Sequence, residues 1–314
     1  MKDINYKELE QFISVPRLKS YEQIVKRKSR EHLIAAYLWN KQISTALYPI
    51  IQCLEVTLRN ALHIVGSQAF ASNDWYEKVL KHGGDEKFKS LYPEGSDQYF
   101  RKSAGYKKNS NQKPWRSNHE NMLKSAKSQL ERSNKVISSN NVISTLMFGF
   151  WVSFFEDAYA GIDPKKSLWP HSERKLFQNG SMLNRRKAHR ILLDLQVLRN
   201  RLSHHEPIWK DESVHNDDTA IQFLLAQVEN ALILIRELSI ERHRHLLRSG
   251  KVTYFKGLCS KQTLLAYLRE DQFKQLDKRK VKRLINREIR HTRIEPIIVN
   301  VNRVPKFIID LWPE

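Results

Sequence analysis

The feature that most constrains this fold is a helix with a cation inside its apolar stripe. Apolar residues recur at three- and four-residue spacing from Ala188 to Leu202, and a period of about 3.6 residues places them on one helix face. Arg199 lies within that stripe, where a guanidinium costs free energy unless an anion or a polar group binds it. Because Pro207 disfavours helical geometry at the residue before it, we expect a helix over Met182–His205.

Arg199, His204 and His205 are residue types that suit metal-free cleavage of RNA. A histidine can take the proton from a ribose 2′-hydroxyl or protonate the leaving oxygen, and a guanidinium can bind the charged transition state. The structural alternative is that these cations satisfy the last carbonyls and the dipole of the helix. On an ideal helix Arg199 and His204 point about 140° apart, so the chemistry needs a distorted last turn or a second chain.

The motif resembles that of a known superfamily. Arg199, Asn200 and His204 match the R-N-x-x-x-H pattern of the HEPN ribonucleases, and the run LRNRLSHHEPIW resembles the Abi-like (abortive infection, AbiD/AbiF-type) branch. Three further blocks resemble the same branch, namely SVPRLKSYEQ, LYPIIQCLEVTLRNAL and LMFGFWVSFFEDAY.

This resemblance implies an all-α HEPN-type helical bundle and a toxin-like, anti-phage endoribonuclease that uses no metal and no other cofactor. It also implies a homodimer in which two motifs face one another, and restraint by a bound non-coding RNA. The catalytic residues would be Arg199, Asn200, His204 and His205, with either histidine as the catalytic imidazole. The alternatives are a non-catalytic HEPN RNA-binding protein and an interaction module of a defence complex.

The charge of the chain indicates an anionic partner. Its 314 residues carry a formal net charge of +20, with a pI near 9.9. We expect RNA rather than a membrane, because the sequence has no strongly apolar segment that approaches the roughly 20 residues of a span. The two cysteines form no disulfide framework and the N-terminus has no signal pattern, which predicts a cytoplasmic protein. Consecutive His204, His205 and Glu206 diverge, so they do not predict a metal site.

Composition predicts two domains. An Abi-like helical domain spans 1–249 and contains a basic, loop-rich insertion at 72–118, and a basic, mostly helical extension spans 250–314. The insertion interleaves cations with aromatic residues, so it either contacts unpaired RNA or is a solvated loop. The extension is an RNA-binding or partner-binding module, or a solvated helix face. The residues predicted to bind RNA are Arg59, Lys107, Lys108, Lys113, Arg116, Lys274, Lys278, Arg279, Lys282 and Arg283.

Periodicity and capping signals predict the remaining elements. We expect Pro49 to kink or split one long helix. The predicted helices are Tyr6–Ile13, Leu18–Arg27, Arg30–Phe70, Ser117–Ser138, Val142–Tyr159, Ser172–Asn179 and Thr219–Arg248, with a short strand at Ile297–Val299.

Overall fold

The computed structural model describes residues 5–26, 28–80, 118–177 and 183–268, the helical positions Arg279 and Arg283, and the backbone of 297–301 and 304–309. Within these ranges the protein is an all-α bundle with a two-stranded hairpin, which confirms the predicted fold class.

The helices, numbered in chain order, are α1 (Tyr6–Ile13), α2 (Val15–Lys19), α3 (Arg30–Phe70), α4 (Trp75–Val79), α5 (Asn118–Arg132), α6 (Ser139–Thr145), α7 (Phe148–Ser153), α8 (Glu173–Leu176), α9 (Arg185–Ser203), α10 (Asp217–Leu238), α11 (Ile240–Arg248), α12 (Lys251–Leu258) and α13 (Lys261–Leu268). Two 3₁₀ turns span Glu22–Ile24 and Asp157–Tyr159, and the strands are β1 (Ile297–Val301) and β2 (Val304–Ile309).

The strongly amphipathic segments were located correctly from sequence. Helices α1, α3 and α9 lie where their apolar spacing predicts them, and α3 continues through Pro49 for 41 residues, so the proline does not split it. The predicted strand at 297–299 belongs to β1, which pairs antiparallel with β2.

The longest apolar run was assigned wrongly. The predicted single helix Val142–Tyr159 is α6, α7 and a 3₁₀ turn, separated by extended backbone at Leu146 (ψ 133°) and Met147 (ψ 162°). Most of its apolar side chains are buried, as expected, although Met147 at the break is 62% exposed. A segment that is apolar on every side carries no periodic signal for its breaks, which explains the error.

Three other predicted helices have different ends. The segment predicted as Leu18–Arg27 is α2 followed by a 3₁₀ turn, because Pro16 fits the first turn of an earlier helix. The helix predicted over Thr219–Arg248 stops at α10, because Ser239 Oγ accepts from the Arg242 N–H at 3.3 Å and caps α11. Helix α5 ends at Arg132, six residues before its predicted end at Ser138. The helix predicted over Ser172–Asn179 is the shorter α8, Glu173–Leu176.

The chain divides into two compact units. Unit 1 comprises residues 1–52, 197–231 and 243–314, and unit 2 comprises residues 53–196 and 232–242. The predicted domain boundary at residue 250 falls inside unit 1. The separate roles predicted for 1–249 and 250–314 stay predictions.

Aromatic residues dominate the core of unit 2. Phe154 contacts Trp75, Phe150 and Tyr159 with ring centroids 5.0–5.1 Å apart. Buried Arg185, at the start of α9, donates to the Phe155 carbonyl at 2.5 Å and pairs with Asp157. The hydrogen bond from Arg185 lowers the pKa of that carboxyl. A buried cation is thereby neutralised at the helix start.

One helix contradicts the prediction that no apolar segment is long enough to span a membrane. Helix α10 has 22 residues and is long and apolar enough, by length and composition, to cross a membrane, although half of its most apolar window is buried inside the protein. The same composition is found in core helices, so this finding is weak support for a span.

A glycine in α3 allows close packing in unit 2. A Cβ added at Gly66 would lie 2.3 Å from Trp75 Cδ2, and the Trp75 ring is fully buried and donates from Nε1 to His63 Nδ1 at 3.3 Å. We expect Gly66→Ala to lower the free energy of unfolding by about 1–3 kcal/mol despite its better helix propensity. Urea unfolding measures this change.

The matched control is Gly149→Ala. Its Cβ would lie 2.8 Å from Gln196 Nε2, the end of a flexible side chain that can move away. Equal changes in the free energy of unfolding of the two variants would show that contact with Trp75 is not what makes a side chain at residue 66 unfavourable.

Candidate functional site

Helix α9 ends in a Schellman motif built by the predicted catalytic segment. The Glu206 N–H donates to the Arg201 carbonyl at 3.0 Å, and the His205 N–H donates to the Leu202 carbonyl at 3.3 Å. His205 has a φ of 56°, in the left-handed region. This is the expected geometry of a helix end, with His205 at the position where glycine is usual.

A left-handed histidine is a costly choice at this position. The left-handed conformation brings Cβ close to the next carbonyl and costs roughly 1–2 kcal/mol for a residue with a side chain. Left-handed residues follow two other described helices in the same way, Ala71 after α3 (φ 45°) and Asn134 after α5 (φ 52°), and the next N–H donates five residues back in each; asparagine tolerates that conformation better than alanine or histidine. Strain at a residue with an imidazole ring is the ground for a functional hypothesis about residue 205.

Two distant side chains hold the turn. Arg17 in α2 donates from Nη1 to the His205 carbonyl at 3.0 Å. Asn40 in α3 donates from Nδ2 to the Glu206 carbonyl at 3.3 Å and accepts from the Ile208 N–H at 3.1 Å. Asn40 is 3% exposed, so both halves of its amide are used in a water-poor site. The backbone on both sides of Pro207 is therefore held by one side chain.

We call the hydrogen bonds from Arg17 and Asn40 to the turn the clamp. Aromatic rings of unit 1 pack beside it. Trp209 is fully buried and contacts Trp39 and Tyr21 with centroids 5.2 and 5.8 Å apart. Trp39 Nε1 donates to the Leu258 carbonyl at 2.9 Å, and the Tyr21 hydroxyl accepts from Asn40 Nδ2 at 3.3 Å. Burial raises the pKa of Tyr21, so its phenol stays neutral. The turn is anchored to the core of unit 1.

The arginines of the motif segment have different surroundings. Burial lowers the pKa of the Arg201 guanidinium, and the charges of Asp211 and Glu206 act in the opposite direction. Arg201 is thus balanced by carboxylates of its own unit, which favours a structural role. Arg199 is half-buried, within the apolar stripe where the sequence places it.

A groove lies beside the turn and brings His205 together with α3. It has a volume of about 490 Å³ and is lined by the α3 residues Tyr37, Asn40, Lys41, Ser44, Thr45 and Tyr48 and by Leu202, Ser203 and His205. We call it the α3 groove. His204 does not line it, although both histidines are exposed.

The structure separates the two candidate imidazoles. The His204 N–H donates to the Asn200 carbonyl at 2.9 Å, so His204 closes the last helical hydrogen bond and the angular argument against Arg199 still applies to it. His205 lies beyond the helix, where that argument does not apply. Asn200 is exposed on the last turn of α9.

Most of the predicted RNA-binding residues lie outside the described residues. These are Lys107, Lys108, Lys113, Arg116, Lys274, Lys278 and Lys282. Arg279 and Arg283 have helical backbone and exposed side chains. Arg59 lies in unit 2, where its Nε donates to Asn60 Oδ1 at 3.2 Å. Arg59 is not one of the residues that line the α3 groove.

Sequence reasoning missed the residues that hold and line the turn. Asn40 interrupts the apolar stripe of α3 as Arg199 interrupts that of α9, with Ala36, Ile43 and Leu47 buried around it. A buried polar residue in a stripe was therefore the available signal for Asn40. Arg17, Lys41 and Tyr48 are exposed or near a turn and carry no such signal.

The fold and the motif define a helical protein with an arginine–histidine segment at a clamped helix end. The family model for Abi-like proteins matches residues 1–210, so the chain belongs to the Abi-like protein family. Neither the comparison with curated proteins nor that with solved structures gave a match.

The left-handed position of His205 predicts a gain in stability on substitution. We expect His205→Gly to raise the free energy of unfolding by about 0.5–1 kcal/mol, because the relief of backbone strain exceeds the entropy that glycine adds to the unfolded chain. Denaturant unfolding measures the difference.

Asn134→Gly is the matched control and should change stability less, because asparagine already tolerates its left-handed φ of 52°. A loss of stability in His205→Gly would mean that the imidazole itself supports the fold, and would remove the argument that residue 205 is kept for function.

Proposed function

We propose that the chain is a metal-independent endoribonuclease of the HEPN type, acting in abortive infection, with RNA as its substrate. Membership of the Abi-like family supports the abortive-infection role. The observation that carries the catalytic part is a histidine, His205, held in a strained conformation at the end of the R-N-x-x-x-H helix and opening on a groove.

The residues of the turn supply the groups that this reaction needs. His205, or His204, accepts the proton of a ribose 2′-hydroxyl, and that oxygen then attacks the adjacent phosphorus. Arg199 binds the charged phosphorane, and an imidazolium returns a proton to the leaving 5′-oxygen. Asn200 positions the helix end. The products are a 2′,3′-cyclic phosphate and a 5′-hydroxyl, so the step is balanced without water or a metal.

Rigidity of the turn supports a catalytic role. Arg17 and Asn40 bind the backbone carbonyls of His205 and Glu206, so the backbone that carries the imidazole is positioned and these bonds do not use the ring nitrogens. A catalytic base held within small tolerances of its working geometry contributes more than a mobile one.

The partners and the compartment are proposals of the same kind. The substrate and a restraining non-coding RNA both fit the net charge of +20. The two cysteines are free and buried, and burial raises the pKa of the Cys259 thiol to about 12; inert thiols fit a reducing cytoplasm.

The second candidate is a non-catalytic RNA-binding protein, in which the same groups hold phosphate without turnover. The large positive charge favours it, since charge alone accounts for RNA binding. RNA that copurifies uncut with the unsubstituted chain would favour this candidate. Absence of both binding and cleavage would favour an interaction module of a defence complex.

The proposed chemistry predicts the effect of single substitutions. We expect Arg199→Ala and His205→Ala each to lower the rate of RNA cleavage about 100-fold or more, because each removes a group that acts in the transition state. Cleavage by the unsubstituted chain should persist in excess chelator. Gel analysis of labelled RNA, with identification of the product ends, measures both effects.

The controls use residues of the same type nearby. Arg190 is exposed on α9 and His215 is exposed beyond the turn. The variants Arg190→Ala and His215→Ala should both cleave RNA at the rate of the unsubstituted chain. His204→Ala identifies the working imidazole, since loss there and not in His205→Ala would assign His204. Activity that vanished in chelator and returned with a divalent cation would overturn the mechanism.

We also propose a symmetric homodimer that brings two motif segments together. The proposal rests on the direction of His204, which is still bonded within the helix and points away from Arg199. Light scattering should give twice the chain mass with or without RNA. A monomer in both states that was fully active at low nanomolar concentration would contradict it.

A further inference from the structure

The α3 groove has a lining suited to one class of ligand. Tyr37, Lys41, Ser44, Thr45 and Tyr48 follow one another at spacings of four, three, one and three residues, which places them on one face of α3. His205 completes the lining from the side of the turn. This face is polar and aromatic where other faces of the same helix are apolar and buried.

The two tyrosines offer rings in different states. Tyr48 is 57% exposed, so its ring can be covered by a ligand. Tyr37 is held by an edge contact with buried Tyr21, with centroids 5.7 Å apart. One ring is therefore fixed in the wall of the groove and the other stands open at its far end.

The charge of the lining selects an anion. The Lys41 ammonium lies 4.8 Å from the centroid of the Tyr37 ring, and none of the described residues that line the groove is a carboxylate. A cation beside aromatic rings, next to a histidine, is the combination that binds the phosphate and the base of an unpaired nucleotide. A base in a duplex cannot stack on these rings, because its faces are already covered.

We propose that the α3 groove is a subsite for an unpaired nucleotide of the RNA, with its base on Tyr48 and its phosphate at Lys41. The nucleotide next to it then presents its phosphodiester at His205. This inference rests on the proposed ribonuclease function for its substrate, but it assigns binding to residues outside the R-N-x-x-x-H motif. It also predicts that the protein selects single-stranded RNA.

The experiment measures binding apart from cleavage. In the Arg199→Ala background, the probe is a single-stranded oligouridine of about 12 nucleotides with one 4-thiouridine. Fluorescence anisotropy gives the affinity, and crosslinking with peptide mapping gives the contact. We expect Tyr48→Leu to weaken binding about 10-fold and Tyr48→Phe to retain it, because the ring and not the hydroxyl carries the stacking. Crosslinks should map to residues 37–48.

Lys41→Gln should weaken binding and flatten the log–log salt dependence by about 0.7, the value for one phosphate contact on a single strand. The matched controls are Phe12→Leu and Lys165→Gln, which alter an exposed aromatic residue and an exposed lysine outside both the groove and the two segments predicted to bind RNA. Both should bind like the parent. Tyr48→Leu and its parent should bind an RNA duplex of the same length with equal affinity.

The outcomes separate this inference from the proposed function. If the unsubstituted chain cuts RNA but Tyr48→Leu binds as tightly as Phe12→Leu, the subsite is wrong and the ribonuclease stands. If no cleavage occurs but the Tyr48 and Lys41 effects are found, the subsite stands and the ribonuclease is wrong. Crosslinks outside residues 37–48, or no binding of the probe by the parent, would overturn the subsite.

Discussion

The amide of Asn40 is the interaction on which the candidate site depends. Pro207 has no N–H, so the backbone around it cannot complete its own hydrogen bonds, and Asn40 bonds the Glu206 carbonyl before it and the Ile208 N–H after it. Each such bond contributes only about 1 kcal/mol, but leaving a buried partner unbonded costs about 1–3 kcal/mol. Since Asn40 is 3% exposed, water cannot replace it. The direction in which the chain leaves α9 follows from this side chain.

The clamp explains how a histidine persists in a left-handed conformation. Arg17 binds the His205 carbonyl at 3.0 Å, and the Schellman bonds hold the residues on both sides. Together with the burial of Trp209 these contacts outweigh the roughly 1–2 kcal/mol that the conformation costs. Strain of this size survives where the surroundings determine it fully, and such places are enriched in functional sites. Geometry at residue 205 is thus an effect of packing elsewhere in unit 1.

The arginines that neighbour carboxylates and the exposed cations have different roles. Arg185 pairs with Asp157, and Arg201 lies in the field of Asp211 and Glu206, so these two charges are balanced inside the fold. Lys41 is exposed and lies over the Tyr37 ring, in a groove whose lining includes no carboxylate within the part of the chain that the structure describes. An unbalanced cation beside aromatic rings attracts anions. The excess positive charge of the chain therefore includes one cation, Lys41, that lies beside the turn.

Local rules accounted for much of the fold and for part of the site. The sequence by itself determined that α9 is a helix with Arg199 in its stripe and that it ends before Pro207, because periodicity and proline stereochemistry act over a few residues. The breaks within 142–159 were beyond such rules, since an apolar run without a regular polar face has no periodic signal to mark them. Only the tertiary structure decided that His205 and not His204 lines the groove. The reason is physical: the contacts of Arg17 and Asn40 with the turn span 188 and 166–168 residues of sequence, and no local pattern encodes a pairing at that separation.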